Sequence, residues 1–210
     1  MIQIDYYSDV LCVWAYTGQR RIDQLKQAFG DKIQINYKTM NLFGNGKNRV
    51  ESKFADKGGL AYFGNHVNQV IAKFPHVAGN DKLWSETQPE SSIPAHLAIA
   101  AVGLIAKDKQ DDYAWAIRQA FFAQGKDIAQ QAVLVEIAQS LAIDSAAMQA
   151  LINNGQAHSI LWQDNLSAID AKVTGSPTLI FNEDRQSIFG NVSYDVMRAN
   201  VQALIDAKED

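Results

Sequence analysis

Cys12, the chain's only cysteine, lies in the stretch Ser8-Asp9-Val10-Leu11-Cys12-Val13-Trp14-Ala15-Tyr16. The thiolate rather than the thiol is the nucleophile, so the surroundings of a cysteine decide whether it reacts. Upstream, Ile2-Gln3-Ile4-Asp5-Tyr6-Tyr7 alternates β-favouring and polar residues in the manner of a strand. Downstream, Ile22, Leu25, Ala28 and Phe29 recur at helical spacing, which predicts a helix through Phe29. Cys12 then stands in the first turn of that helix. Unpaired backbone N–H groups there carry partial positive charge and stabilise an anion. Such placement can lower a cysteine pKa to about 3.5–7.5. A plainer role stands beside this one, because a lone cysteine often serves as a small buried hydrophobe.

The elements that must position Cys12 follow from periodicity. Lys32-Ile33-Gln34-Ile35-Asn36-Tyr37-Lys38 alternates strictly and predicts a second strand. Strand, helix and strand in that order imply two parallel neighbours joined by a right-handed crossover. Asn41 to Asn48, rich in Asn and Gly, reads as a loop. From about Val50 to Asn165 the pattern is mostly helical, with Pro75 to Pro89 irregular. Ile93 to Ala106 is apolar nearly all round, the mark of a buried helix. Asp112 and Asp144 read as helix caps, Ile128 to Leu141 as a helix, and Gly155 as a helix stop. The strand signal returns in Thr178-Leu179-Ile180-Phe181 and Gln186-Ser187-Ile188-Phe189, flanking the polar residues 182–185 as a hairpin would. Ser193 caps a last helix. The chain is thus α/β: βαβ, a large all-helical insertion, then ββα. The expected division is 1–42 with 166–210 as one domain and 43–165 as the inserted helical one. No linker-like composition separates them, so the insertion should pack against the rest.

Ser8-Asp9-x-x-Cys12-x-Trp14-x-Tyr16-x-Gly18 resembles the active-site segment of DsbA-like thioredoxin-fold proteins. It is most similar to the FrnE-like, 2-hydroxychromene-2-carboxylate isomerase and kappa-class glutathione transferase branch. Gly175-Ser176-Pro177-Thr178 before an apolar strand resembles that family's cis-proline loop. Pro94-Ala95-His96, Arg118-Gln119-Ala120-Phe121-Phe122, Gly125-Lys126-Asp127-Ile128 and Phe189-Gly190-Asn191 resemble further family segments, so the likeness spans nearly the whole chain. It implies a thioredoxin-like fold and a cis Pro177, with Ser176 and Pro177 facing Cys12. It also implies substrate or glutathione contacts from Trp14, Ala15, Thr174, Ser176 and Pro177. FrnE-like members usually carry Cys-Pro-Trp-Cys here, whereas this chain has Cys12-Val13-Trp14-Ala15. The second cysteine is absent.

Without it Cys12 can form a mixed disulfide but cannot resolve it internally. Three functions remain open. One is a monothiol thiol–disulfide oxidoreductase resolved by glutathione. Another is a glutathione-dependent isomerase or transferase of the 2-hydroxychromene-2-carboxylate isomerase or kappa type. The third is a non-catalytic peptide-binding protein. Glutathione is the expected co-substrate, with no bound cofactor. The four histidines, His66, His76, His96 and His158, lack metal-ligand spacing, and His96 on an apolar helix reads as a core histidine. A net charge of −4 without a basic run gives no support for nucleic-acid binding. No stretch is long and apolar enough for a membrane span. One cysteine and no secretory signal make the cytoplasm the expected compartment. Kappa-class relatives are dimers, which puts a homodimer among the expectations, although no sequence feature marks an interface.

Overall fold

The computed structural model describes residues 1–182 and 185–209. It opens with strand β1 (Ile2–Ser8), helix α1 (Val13–Phe29) and strand β2 (Ile33–Thr39). Seven helices follow: α2 (Gly46–Lys53), α3 (Gly59–Ile71), α4 (Ile93–Ile105), α5 (Gln110–Phe122), α6 (Gln131–Ser140), α7 (Ser145–Asn153) and α8 (Gln156–Asp170). Strands β3 (Thr178–Phe181) and β4 (Gln186–Phe189) and helix α9 (Tyr194–Glu209) complete it.

The strands form one mixed sheet in the order β2-β1-β3-β4. β1 runs parallel to β2, with Ile4 beside Ile35, and antiparallel to β3, with Tyr6 beside Leu179. β3 and β4 pair as an antiparallel hairpin; Glu183 and Asp184 of the expected connection lie outside the described residues. Central strands are covered on both faces, which explains why alternation fades where the site is built. β3 is buried at every position, and the last three residues of β1, Tyr7 included, are buried too. One face carries Ile4, Tyr6, Leu179 and Phe181 against Ile22 and Leu25 of α1 and Met197 and Val201 of α9. On the other, Tyr7 and Ile180 pack on Ala168 of α8.

The helical block has its own apolar cluster around α4, whose residues 95–102 are all buried. This cluster takes in Val10, Leu11, Val13 and Tyr16, so the segment around Cys12 is itself part of the seam between helices and sheet. Trp84 is fully buried against Phe43, Phe63 and Phe121. Gly64 of α3 lies so near that loop that a Cβ there would come within 2.2 Å of the Leu83 carbonyl oxygen.

Several expectations change in detail. Residues 46–48, expected in a loop, already belong to α2, whose first N–H (Gly46) is satisfied by the Glu90 carbonyl at 2.8 Å. α5 begins at Gln110 because a 3₁₀ turn, Lys107–Lys109, runs straight into it, so Asp112 lies in its first turn and does not cap it. α6 starts at Gln131: Asp127 Oδ1 accepts the Ala129 N–H at 2.9 Å, and Ile128 is buried in that turn. Asp144 caps α7 as expected, accepting from Ala146 and Ala147. Gly155 ends α7 as expected, following its C-cap Asn154 with φ at 88°, a conformation that glycine adopts without steric penalty, and serves at once as the N-cap residue of α8. Ala28 faces solvent.

Candidate functional site

Asp9 shapes the turn that delivers Cys12. Its backbone carbonyl accepts the Cys12 N–H at 3.1 Å, and its Oδ1 accepts the Leu11 N–H at 2.9 Å. Aspartate makes such a turn readily because its side chain reaches a backbone donor two residues on. The chain leaves β1, turns once, and enters α1 with Cys12 as N-cap residue. Asp9 Oδ2 accepts three more donors: the N–H groups of Leu42 (3.1 Å) and Phe43 (2.8 Å) and the Ser92 hydroxyl (2.9 Å). One fully buried carboxylate thus ties β1 to the β2–α2 loop and to the start of α4.

His96 on α4 completes the support. Its Nε2 accepts the Val10 N–H at 3.2 Å, which assigns the ring proton to Nδ1. Burial drives its pKa below the ordinary histidine value, with Arg118 adding to that and Asp9 opposing it. A neutral ring is therefore the state that fits the hydrogen bond. His96 is the core histidine anticipated from its apolar helix.

The second wall is the loop before β3. The Ser176–Pro177 peptide bond is cis. Cys12 Sγ donates to the Ser176 carbonyl at 3.1 Å, and Ser176 Oγ accepts the Asp9 N–H at 3.0 Å. Thr178 Oγ1 donates to the Gly175 carbonyl at 2.7 Å, and the Gly190 N–H donates to the Pro177 carbonyl at 2.8 Å. Phe189, 61% exposed, lies over Gly175, where a Cβ would meet its ring at 2.5 Å.

Of the residues singled out from sequence, Cys12, Ser176 and Pro177 come together. Trp14 lies two residues beyond Cys12, half-buried, its ring edge-to-face with Phe74 at 6.5 Å. The Ala15 side chain is fully buried and offers no surface to a substrate; its backbone N–H lies beside the Cys12 sulfur. Thr174 is exposed on the approach to the loop. Arg118, singled out only as part of a family segment, is buried and donates from Nη2 to Ser8 Oγ at 2.7 Å.

The state of Cys12 differs from the expected depressed pKa. Burial pushes the thiol upward, the sulfur residue being only 5% exposed, and the Asp9 charge pushes the same way. The Ser176 side chain and the N–H groups of Ala15 and Trp14 pull it down. The helix-terminal donors are present, but desolvation outweighs them. Among the described residues no group of three His, Cys, Asp or Glu side chains is placed to hold a metal ion.

Fold and site together define a class. The chain belongs to the DSBA-like thioredoxin domain family, whose model matches residues 3–202. A mixed sheet with helices on both sides, a cysteine at the start of α1 and the Ser176–Pro177 loop give it the thioredoxin-like architecture. No curated protein sequence matches it. Solved structures resemble it over nearly its full length. A protein described as a putative protein disulfide isomerase from Nitrosomonas europaea has 17% identity and a TM-score of 0.81, each chain covered to 98%. The cytosolic disulfide reductase DsbM from Pseudomonas aeruginosa with GSH has 17% identity, coverage of 97% and 99%, and a TM-score of 0.74. A 2-hydroxychromene-2-carboxylate isomerase has 18% identity, coverage of 99% and 98%, and a TM-score of 0.70. At such identities the likeness is one of fold. No helix among the described residues is long and apolar enough to cross a membrane.

Proposed function

We propose that the protein is a monothiol thiol–disulfide oxidoreductase that takes glutathione from mixed disulfides and is resolved by a second glutathione, in a reducing compartment such as the cytoplasm. The observation that carries this reading is the Cys12 sulfur at the N-terminus of α1, 3.1 Å from the Ser176 carbonyl, with the alanine side chain of residue 15 buried behind it. The Cys12 thiol gives up its proton to solvent before the mixed disulfide closes over it, and the N–H groups of Ala15 and Trp14 steady the thiolate. The thiolate attacks the glutathione sulfur, forming an S–S bond and expelling the substrate thiolate, which takes up a proton. Free glutathione then attacks the Cys12–glutathione disulfide, releasing oxidised glutathione and restoring the thiol. One substrate disulfide is reduced and two glutathione units leave joined. Ala15 makes the external thiol obligatory. The Pseudomonas relative in complex with GSH supports the choice of co-substrate.

The burial of Cys12 favours a second reading, a glutathione-dependent isomerase or transferase. A thiol held protonated beside Ser176 would bind and orient a glutathione sulfur without joining it, and the isomerase among the structural relatives lends support.

A glutathionylated peptide incubated with wild type and Cys12→Ser separates the two. Peptide reduction that depends on glutathione, passes through a Cys12–glutathione adduct visible by mass spectrometry, and vanishes in Cys12→Ser is the expected result. Equal rates for both proteins, with glutathione bound but never joined to Cys12, would overturn the redox reading.

A further inference from the structure

Phe189, the last residue of β4, keeps 61% of its surface in water, yet its ring is seated rather than loose. It lies against Gly175, where a Cβ would come within 2.5 Å of Cε2 and 2.9 Å of Cζ, so glycine alone leaves the ring its place. The backbone beneath it is pinned on both sides. Thr178 Oγ1 donates to the Gly175 carbonyl, and the Gly190 N–H donates to the Pro177 carbonyl. Single exposed apolar side chains are common on protein surfaces. This one is fixed to the loop that carries the Ser176 carbonyl, 3.1 Å from the Cys12 sulfur.

The sheet explains why the ring stays uncovered. Phe189 pairs with Thr178 across the hairpin, and alternation puts both on the face of Ile180, which packs on Ala168 of α8. On that face Tyr7 of β1 and Ile180 of β3 are buried, whereas Ser187 and Phe189 of the edge strand β4 are exposed. Gly190, with φ at 81°, then turns the chain so that the Asn191 side chain lies beside Gly18 of α1. Residues 189–191 therefore run from the open face of β4, past the Pro177 carbonyl, to the helix that Cys12 caps.

We infer that Phe189 is a specificity-determining contact for the client, a platform that receives a large aliphatic or aromatic side chain within two residues of the glutathionylated cysteine. The inference rests on the thiol–disulfide reading and names its substrate class: S-glutathionylated polypeptides with an apolar flank, in preference to polar-flanked sites and small mixed disulfides. The client's cysteine must come into line with the glutathione sulfur and Cys12. One extended residue spans about 3.3–3.6 Å, and the ring rests on the residue next to Ser176, so the side chains nearest the client's cysteine are the ones within its reach. Contact with the ring removes apolar surface from water on both partners, and an aromatic partner adds the attraction of paired rings.

Two glutathionylated hexapeptides test it, identical except for Phe or Ser beside the cysteine. The mixed disulfide of glutathione and 2-mercaptoethanol serves as a third probe, without side chains. After subtraction of the uncatalysed rate, wild-type kcat/KM should be about tenfold higher for the Phe peptide than for the Ser peptide, the size of one good apolar contact. Phe189→Ala should bring that ratio close to one, and Phe189→Leu should keep most of it. Each ratio is internal to one protein, so it does not depend on how much of a variant folds. A wild-type ratio near one, or an unchanged ratio in Phe189→Ala, with turnover still requiring Cys12, overturns the inference and leaves the thiol–disulfide reading standing. Turnover of the mercaptoethanol disulfide but of neither peptide overturns it too. Absence of Cys12-dependent turnover with all three probes overturns that reading, and the inference falls with it.

Discussion

Asp9 and Cys12, three residues apart, show how burial sets residue behaviour here. Asp9→Ala removes one acceptor group and strands four donors in the interior. Its expected cost is about 3–5 kcal/mol by urea titration, the range for breaking a buried charged network; a loss under 1 kcal/mol would contradict the role given to it. For Cys12 the folded pKa lies above the ordinary thiol value because the sulfur is desolvated. The unfolded chain ionises near pH 8.5, so this contribution to stability is complete below about pH 8.5 and is lost as pH rises through the folded value. Stability should therefore fall more steeply above pH 8.5 in wild type than in Cys12→Ala, and parallel profiles would count against the burial argument. Native Cys12 should also alkylate more slowly at pH 7 than a free cysteine. The identities of Cys12 and Pro177 were legible in sequence because a nucleophile and a loop proline announce themselves by type and motif. The depth of Cys12 was not, since it depends on Ser176, more than 160 residues away. Arg118 was legible only as part of a motif, because nothing in a helix sequence says that an arginine faces inward.

Elements were read well where one face meets water and poorly where both are covered. β2 and α1 show their periods, while β3 is buried throughout and was recognisable only by its β-rich composition. Helix starts were misplaced where a neighbouring turn runs into the helix, as at Lys107–Lys109, or where an aspartate caps a turn ahead of it, as at Asp127. The Asp144 cap, by contrast, is purely local, and Asp144→Ala should cost about 1 kcal/mol in urea titration. Gly64 carries a tertiary constraint that no local pattern contains. Its Cβ would strike a backbone oxygen, so Gly64→Ala should cost about 1–3 kcal/mol as α3 and the Leu83 loop are forced apart. Equal or greater stability of that variant would mean that the two segments separate freely.

Across the whole molecule, the sheet and the helical block share the residues that frame Cys12. Asp9 reaches Phe43 and Ser92, Val10 reaches His96, and Arg118 reaches Ser8. Unfolding should then be one cooperative event. Tryptophan fluorescence, which reports Trp14, Trp84, Trp115 and Trp162, should coincide with far-ultraviolet circular dichroism and with exposure of the Cys12 thiol. A separate, earlier transition in fluorescence would show the helical block melting alone. The order βαβ, helices, ββα was readable from sequence because local periodicity carries it; the cross-links were not, because each joins residues distant in the chain.

The buried alanine at position 15 also bears on bookkeeping of electrons. A protein with paired thiols can be oxidised and carry no trace of what oxidised it. With one cysteine in the chain, Cys12 can hold a disulfide only with another molecule. In the proposed reaction that molecule is glutathione, so the mass of the trapped adduct would report the co-substrate, while the client leaves as a free thiol.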